Sequence, residues 1–189
     1  MPMYCLIERR AALSIRKLTT LAMFTTLAMI IFTIESAIPP LVPIPGIKLG
    51  LANIITLVLL RTYSPKDTLL VLLVRVLLSS LLFGQAMSLL YSLTGGICCF
   101  LAMYWVNRLL QNHFLYLTSV MGAIFHNLGQ IVIAYLLTVV PGVLAYLPFL
   151  LLSGILTGLF TGLCAHFTLK YLLPLTSRLS SSPKEDGDN

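Results

Sequence analysis

Residues 69–82 read LLVLLVRVLLSSLL, an apolar run that carries one arginine, Arg75, at its middle. A helix that is apolar all round is either deeply buried or faces lipid. A lone charge at the bilayer centre costs roughly 2.5–3.5 kcal/mol even on the lenient insertion scale. Arg75 must therefore face a bundle interior and meet a partner there. The composition extends that reading to the whole chain. Its 189 residues are 58% hydrophobic and only 10% charged, with a mean hydropathy of +0.98. A soluble domain is about a quarter charged, so the chain reads as an all-α integral membrane protein in a lipid bilayer.

Each crossing helix needs about 20 apolar residues. The length fits six transmembrane helices with tight loops and no separate soluble domain. The sequence places them near residues 18–38, 49–63, 67–83, 86–106, 115–139 and 145–172. That predicts a basic cytoplasmic N-terminus at 1–17, a membrane domain at 18–172 and a disordered cytoplasmic tail at 173–189. The first apolar core is too long for a cleaved leader and reads as a retained helix. Ser64-Pro65 and Pro141-Gly142 are turn signals. With six spans, Arg9, Arg10, Arg16, Lys17, Arg61, Lys66, Arg108, Lys170, Arg178 and Lys184 all fall on one side, and Lys48 alone faces the other. The positive-inside rule then predicts both termini in the cytoplasm. The net charge of +6 is scattered between apolar spans, which argues against nucleic-acid binding.

Working outward from Arg75, Glu35 is the only acidic residue within any span interior, and a Glu35–Arg75 ion pair is one expectation. The other is that Arg75 offers its planar fork to an anionic ligand. Residues 39–53, PPLVPIPGIKLGLAN, break the apolar pattern with four prolines, two glycines and Lys48. Irregular backbone beside a membrane survives only where protein buries it or a water-filled cavity meets it. This stretch reads as the roof of a pocket, with Lys48 either a second cation for the ligand or a snorkelling side chain. Asn53, His126, Asn127 and Gln130 supply polar groups at membrane depth, and His126 and Gln130 share one helix face. They line a cavity or join helices by hydrogen bonds. Gly154, Gly158 and Gly162 form a small-residue ridge, and Ala22 with Thr26 a weaker pair; both suit helix packing or partner docking. Cys5, Cys98, Cys99 and Cys164 lack metal or disulfide spacing, and no metal site or cofactor is expected.

Four blocks in order, PGIKLGLAN (45–53), RVLLSSLLFG (75–84), SLTGG (92–96) and HNLGQ (126–130), resemble the signatures of a bacterial membrane family. That family is labelled heptaprenyl diphosphate synthase component I, also called the Gx transporter family. It is grouped with the substrate-binding S-components of energy-coupling-factor (ECF) transporters. The resemblance covers about residues 18–172. It implies a six-helix S-component-like bundle in the bacterial inner membrane with a pocket near the outer face. It also implies capture of a small organic solute, which Lys48 and Arg75 suit if it is anionic, with a transmembrane coupling subunit and ATPases as energising partners. The Ala22/Thr26 pair is looser than the AxxxA-like docking pair of such components. The other family label implies a non-catalytic membrane partner of a soluble prenyl diphosphate synthase subunit. A helical membrane scaffold is the third reading. The chain carries no catalytic motif: it lacks a DDxxD-type cluster to hold magnesium against a diphosphate and has no P-loop.

Overall fold

The computed structural model describes residues 3–37, 48–83, 86–110 and 114–181. Their helices are α1 (Met3–Ala37), α2 (Asn53–Thr62), α3 (Pro65–Phe83), α4 (Ala86–Leu109), α5 (Leu115–Thr138) and α6 (Leu147–Ser181), with a 3-10 helix at Pro141–Tyr146 before α6. The helix boundaries depart from expectation at both ends of the chain. α1 begins well before residue 18, and α6 continues through Pro174 to Ser181. Residues 38–47, which include most of the expected roof, lie outside the described residues.

The distribution of polarity is inverted relative to a soluble protein. Leu81, Leu82 and Phe149 are 80%, 72% and 70% exposed, while Thr118, Ser119, His126, Asn127 and Gln130 are buried. An apolar exterior around a polar interior is stable in lipid, where exposed hydrocarbon costs nothing and polar groups need internal partners. Four segments, Ile15–Ala37, Met87–Leu109, Leu115–Thr138 and Pro141–Leu172, are long and apolar enough to cross a membrane. α2 is too short to do so alone, and α3 carries Lys66, Asp67 and Arg75 within 19 residues.

Two contacts fix how α1 and α3 lie together. Lys17 Nζ meets Asp67 Oδ2 at 2.8 Å, and the Phe32 and Phe83 rings lie 5.6 Å apart. The two helices thus run the same way, and the chain joining them must return along both. α2 covers only about 15 Å of that return at 1.5 Å per residue; irregular backbone from Lys48 to Ala52 leads into it. At the far end of α2 a turn built from Ser64 and Pro65 starts α3. Ser64 Oγ accepts the Asp67 N–H at 3.3 Å and donates to Asp67 Oδ2 at 2.6 Å, while Pro65 takes the first helical position, where no N–H is needed.

α4, α5 and α6 pack as successive antiparallel neighbours. The glycine ridge of α6 faces α5: a Cβ on Gly158 would lie 2.5 Å from Val120 Cα, and one on Gly162 would lie 3.1 Å from Ser119 Cβ. This close approach lets Ser119 Oγ and Thr161 Oγ1 hydrogen-bond at 2.8 Å. The ridge is therefore consumed inside the bundle. Ala22 and Thr26, by contrast, stand on the exposed face of α1, where Thr26 Oγ1 bonds back to the Ala22 carbonyl at 3.0 Å.

Gly158→Ala forces two backbones apart and is expected to destabilise the protein by about 1–3 kcal/mol. A Cβ on Gly142 meets only Val140 Cγ1 at 3.7 Å, so Gly142→Ala should stay within about 0.5 kcal/mol. Thermal unfolding of both variants in one detergent checks this; equal shifts would contradict the packing role of the ridge.

Candidate functional site

The irregular segment and α2 meet α1, α3, α4 and α5 around a small polar cavity. Phe32, Glu35, Lys48, Gly50, Ala52, Asn53, Arg75, Ser92, His126 and Gln130 line about 250 Å³ of space, its mouth included. Five of the six residues expected to bind substrate come together here: Lys48, Asn53, Arg75, His126 and Gln130. Asn127 does not. Its Nδ2 donates to the Leu150 carbonyl at 2.6 Å, so this amide ties α5 to α6.

The entry to α2 explains the glycines. Gly50 has φ +81°, a conformation that L side chains resist. It closes a tight turn in which Asn53 N–H donates to the Gly50 carbonyl at 3.0 Å and Ile54 N–H to the Leu51 carbonyl at 3.1 Å. A Cβ on Gly50 would come within 2.7 Å of His126 Cδ2, and one on Gly95 within 2.9 Å of His126 Cε1. The imidazole is thus held between two glycines from separate sequence blocks.

Glu35 supplies what the start of α2 lacks. Helix N-termini leave backbone donors without intrahelical partners, and a carboxylate there is favoured by both hydrogen bonding and the helix dipole. Glu35 Oε1 accepts the Gly50 N–H, and the Ala52 N–H bonds to the same side chain. The expected direct ion pair between Glu35 and Arg75 does not form; among the described residues the ion pair seen is Lys17–Asp67. The carboxylate is occupied by the turn, and Arg75 acts on it only through space.

Lys48 is tied down from both ends. Its ammonium donates to Ser36 Oγ at 2.7 Å and lies 3.5 Å from the centre of the Phe32 ring, a cation–π contact. Its backbone is held by Gln130. With the Gln130 amide oriented to satisfy its neighbours, Nε2 donates to the Lys48 carbonyl at 3.0 Å, and Oε1 accepts from the Lys48 N–H at 3.3 Å and from His126 Nε2 at 3.1 Å.

Two side chains remain without partners. Arg75 is 5% exposed and makes no hydrogen bond or ion pair among the described residues. Its nitrogens are absent from the atoms sealed within protein, so the guanidinium opens onto the cavity. Both ends of the Asn53 amide are buried with no hydrogen-bond partner, and the His126 imidazole lies against the Gly95 backbone. Buried polar groups are nearly always satisfied, so this is an unusual concentration. Phe32 and Ser92 also line the cavity. Sequence reasoning missed both as lining residues: Phe32 looks like any lipid-facing aromatic, and Ser92 like a packing serine. Among the described residues no group of three or more His, Cys, Asp or Glu side chains is placed to hold a metal.

An apolar helical exterior around a buried polar cavity defines an integral membrane protein with an internal site. Residues 24–168 match the family described as heptaprenyl diphosphate synthase component I, and the chain belongs to that family. No curated protein gives a significant match. No solved structure gives a significant match either.

Replacing Glu35 by Ala leaves the Gly50 N–H buried and unpaired, which costs about 1–3 kcal/mol. Hydrogen exchange at residues 49–56 should speed up accordingly while the α5–α6 pair stays protected. Uniform loss of protection would show that Glu35 supports the whole bundle rather than this turn.

Proposed function

We propose that this protein captures a small organic anion in the cavity for import, with Arg75 as the group that binds its charge. The observation that supports the reading best is the buried, unpartnered guanidinium opening onto polar space. A charge in that position costs several kcal/mol unless something compensates it, and the protein has placed its nearest carboxylate elsewhere. A bidentate anion would complete the fork. Asn53 and His126 orient the ligand, and Lys48 with Gln130 close the cavity from the side of the irregular segment.

In this account the segment at residues 48–62 crosses together with α1, α3, α4, α5 and α6. Six crossings put both termini in the cytoplasm of the bacterial inner membrane and the pocket near the outer face. Import then needs an energising partner. The likeness to ECF S-components points to a transmembrane coupling subunit with ATPases, for which the exposed face of α1 around Ala22 and Thr26 is a candidate contact.

The family's description favours a second reading, a membrane component of heptaprenyl diphosphate synthase working with a soluble subunit. Asp67, the one aspartate among the described residues, is engaged by Lys17 and Ser64. In this reading the magnesium and diphosphate chemistry therefore belongs to the partner.

Arg75→Met separates these readings from a plain scaffold. Replacing an unpaired buried charge by an apolar side chain of similar length removes its desolvation cost. The variant should fold with an equal or higher unfolding temperature yet lose the small molecules that co-purify with the wild type. A large drop in stability with no ligand to lose would favour the scaffold. Mass spectrometry of the mild-detergent complex distinguishes the partners: an ATPase module supports import, and a prenyltransferase subunit without transporter parts contradicts it.

A further inference from the structure

We infer that, while the pocket is closed, the Arg75 guanidinium holds one inorganic monoanion of halide size, such as chloride. The inference rests on Arg75 as the anion-binding group of the reading above, and assigns what that group holds before an organic anion enters.

Size sets the first limit. The 250 Å³ at the site counts its mouth, and the part enclosed by the lining side chains has room for about one water molecule. An organic carboxylate or a diphosphate exceeds that space, whereas a halide is the common anion nearest to it.

Charge sets the second limit. Lys48, Arg75 and Glu35 line the cavity, two cations against one carboxylate. Lys48 is engaged by Ser36 Oγ and the Phe32 ring, and Glu35 Oε1 by the Gly50 N–H. The surplus positive charge therefore lies on Arg75. That side chain is 5% exposed, and an uncompensated charge at such depth is costly. A monoanion cancels the surplus. A dianion would overshoot it beside Glu35, and a water molecule would leave it standing.

Donors set the third limit, because a halide only accepts hydrogen bonds. The guanidinium brings its N–H groups in a fixed fork. Ser92 of α4 also lines the cavity, and its hydroxyl makes no hydrogen bond among the described residues. It is free to turn its O–H onto the same anion.

The test uses the full-length chain in mild detergent, dialysed into sodium gluconate, whose anion is far larger than the enclosed space. Thermal unfolding is followed as bromide or chloride replaces gluconate at constant ionic strength. Halide should raise the unfolding temperature saturably, by about 3–6 °C at tenfold excess over its Kd, and Arg75→Met should abolish the rise. Ser92→Ala, which keeps the charge, should weaken halide binding about tenfold. A crystal of the wild type grown in sodium bromide should show an anomalous peak within hydrogen-bond distance of the guanidinium. No halide response, the same response in Arg75→Met, or bromide bound only away from Arg75 would overturn the inference. Organic anions recovered by mass spectrometry from the wild type and missing from Arg75→Met, with no halide response in either, would overturn the halide and leave anion capture standing. A halide response that Arg75→Met loses, with no organic anion recovered from the wild type, would support the halide and overturn capture.

Discussion

A guanidinium without a partner inside a low-dielectric bundle is the constraint on which the rest of this structure turns. An isolated buried charge is tolerated only if polar groups or water share its environment, and the bundle supplies that environment from four other helices. Gln130 and His126 come from α5, Ser92 from α4, Asn53 from α2 and Glu35 from α1. None of these helices could present its polar residue to lipid, so burying them around one cavity also fixes how the helices pack. The apolar exterior follows from the same division.

The second constraint is backbone. α1 and α3 run in parallel, so the chain between them must traverse their length, and α2 is the helical part of that traverse among the described residues. The irregular stretch at residues 48–52 exposes peptide groups that need partners. Glu35 meets the turn at Gly50, Gln130 meets both peptide groups of Lys48, and the positive φ of Gly50 lets the turn close against His126. The same residues that hold the segment in place wall the cavity. Any movement that opens the pocket through this segment must break the Glu35 and Gln130 contacts, which couples opening to a small set of hydrogen bonds.

Much of this was legible in the sequence, and the reasons differ by element. Long apolar runs at α1, α4, α5 and α6 have no competing reading, because hydropathy over about 20 residues is a strong signal. Polar residues at membrane depth, Arg75, His126 and Gln130, were legible as inward-facing for the same reason. Pairings were not. Glu35 and Arg75 are the obvious opposite charges, yet Glu35 bonds to backbone amides, which carry no signature in residue type. Asn127 and Gln130 look equivalent on one helix, and only the three-dimensional position of α6 sends Asn127 to the Leu150 carbonyl. The glycine ridge suits packing inside the bundle, with partner docking as the alternative, and α5 fills it. Helix ends are the least legible: the last apolar run ends near residue 172, yet α6 continues to Ser181.

The central claim is that Arg75 is held open for an anion that the protein itself does not provide. An experimental structure in lipid nanodiscs, of protein purified with whatever it carries from the cell, tests this most directly. The account predicts non-protein density within hydrogen-bond distance of both the Arg75 guanidinium and the Asn53 amide, with Glu35 still on the Gly50 N–H. An empty cavity with Glu35 swung onto Arg75 in a direct ion pair would contradict it.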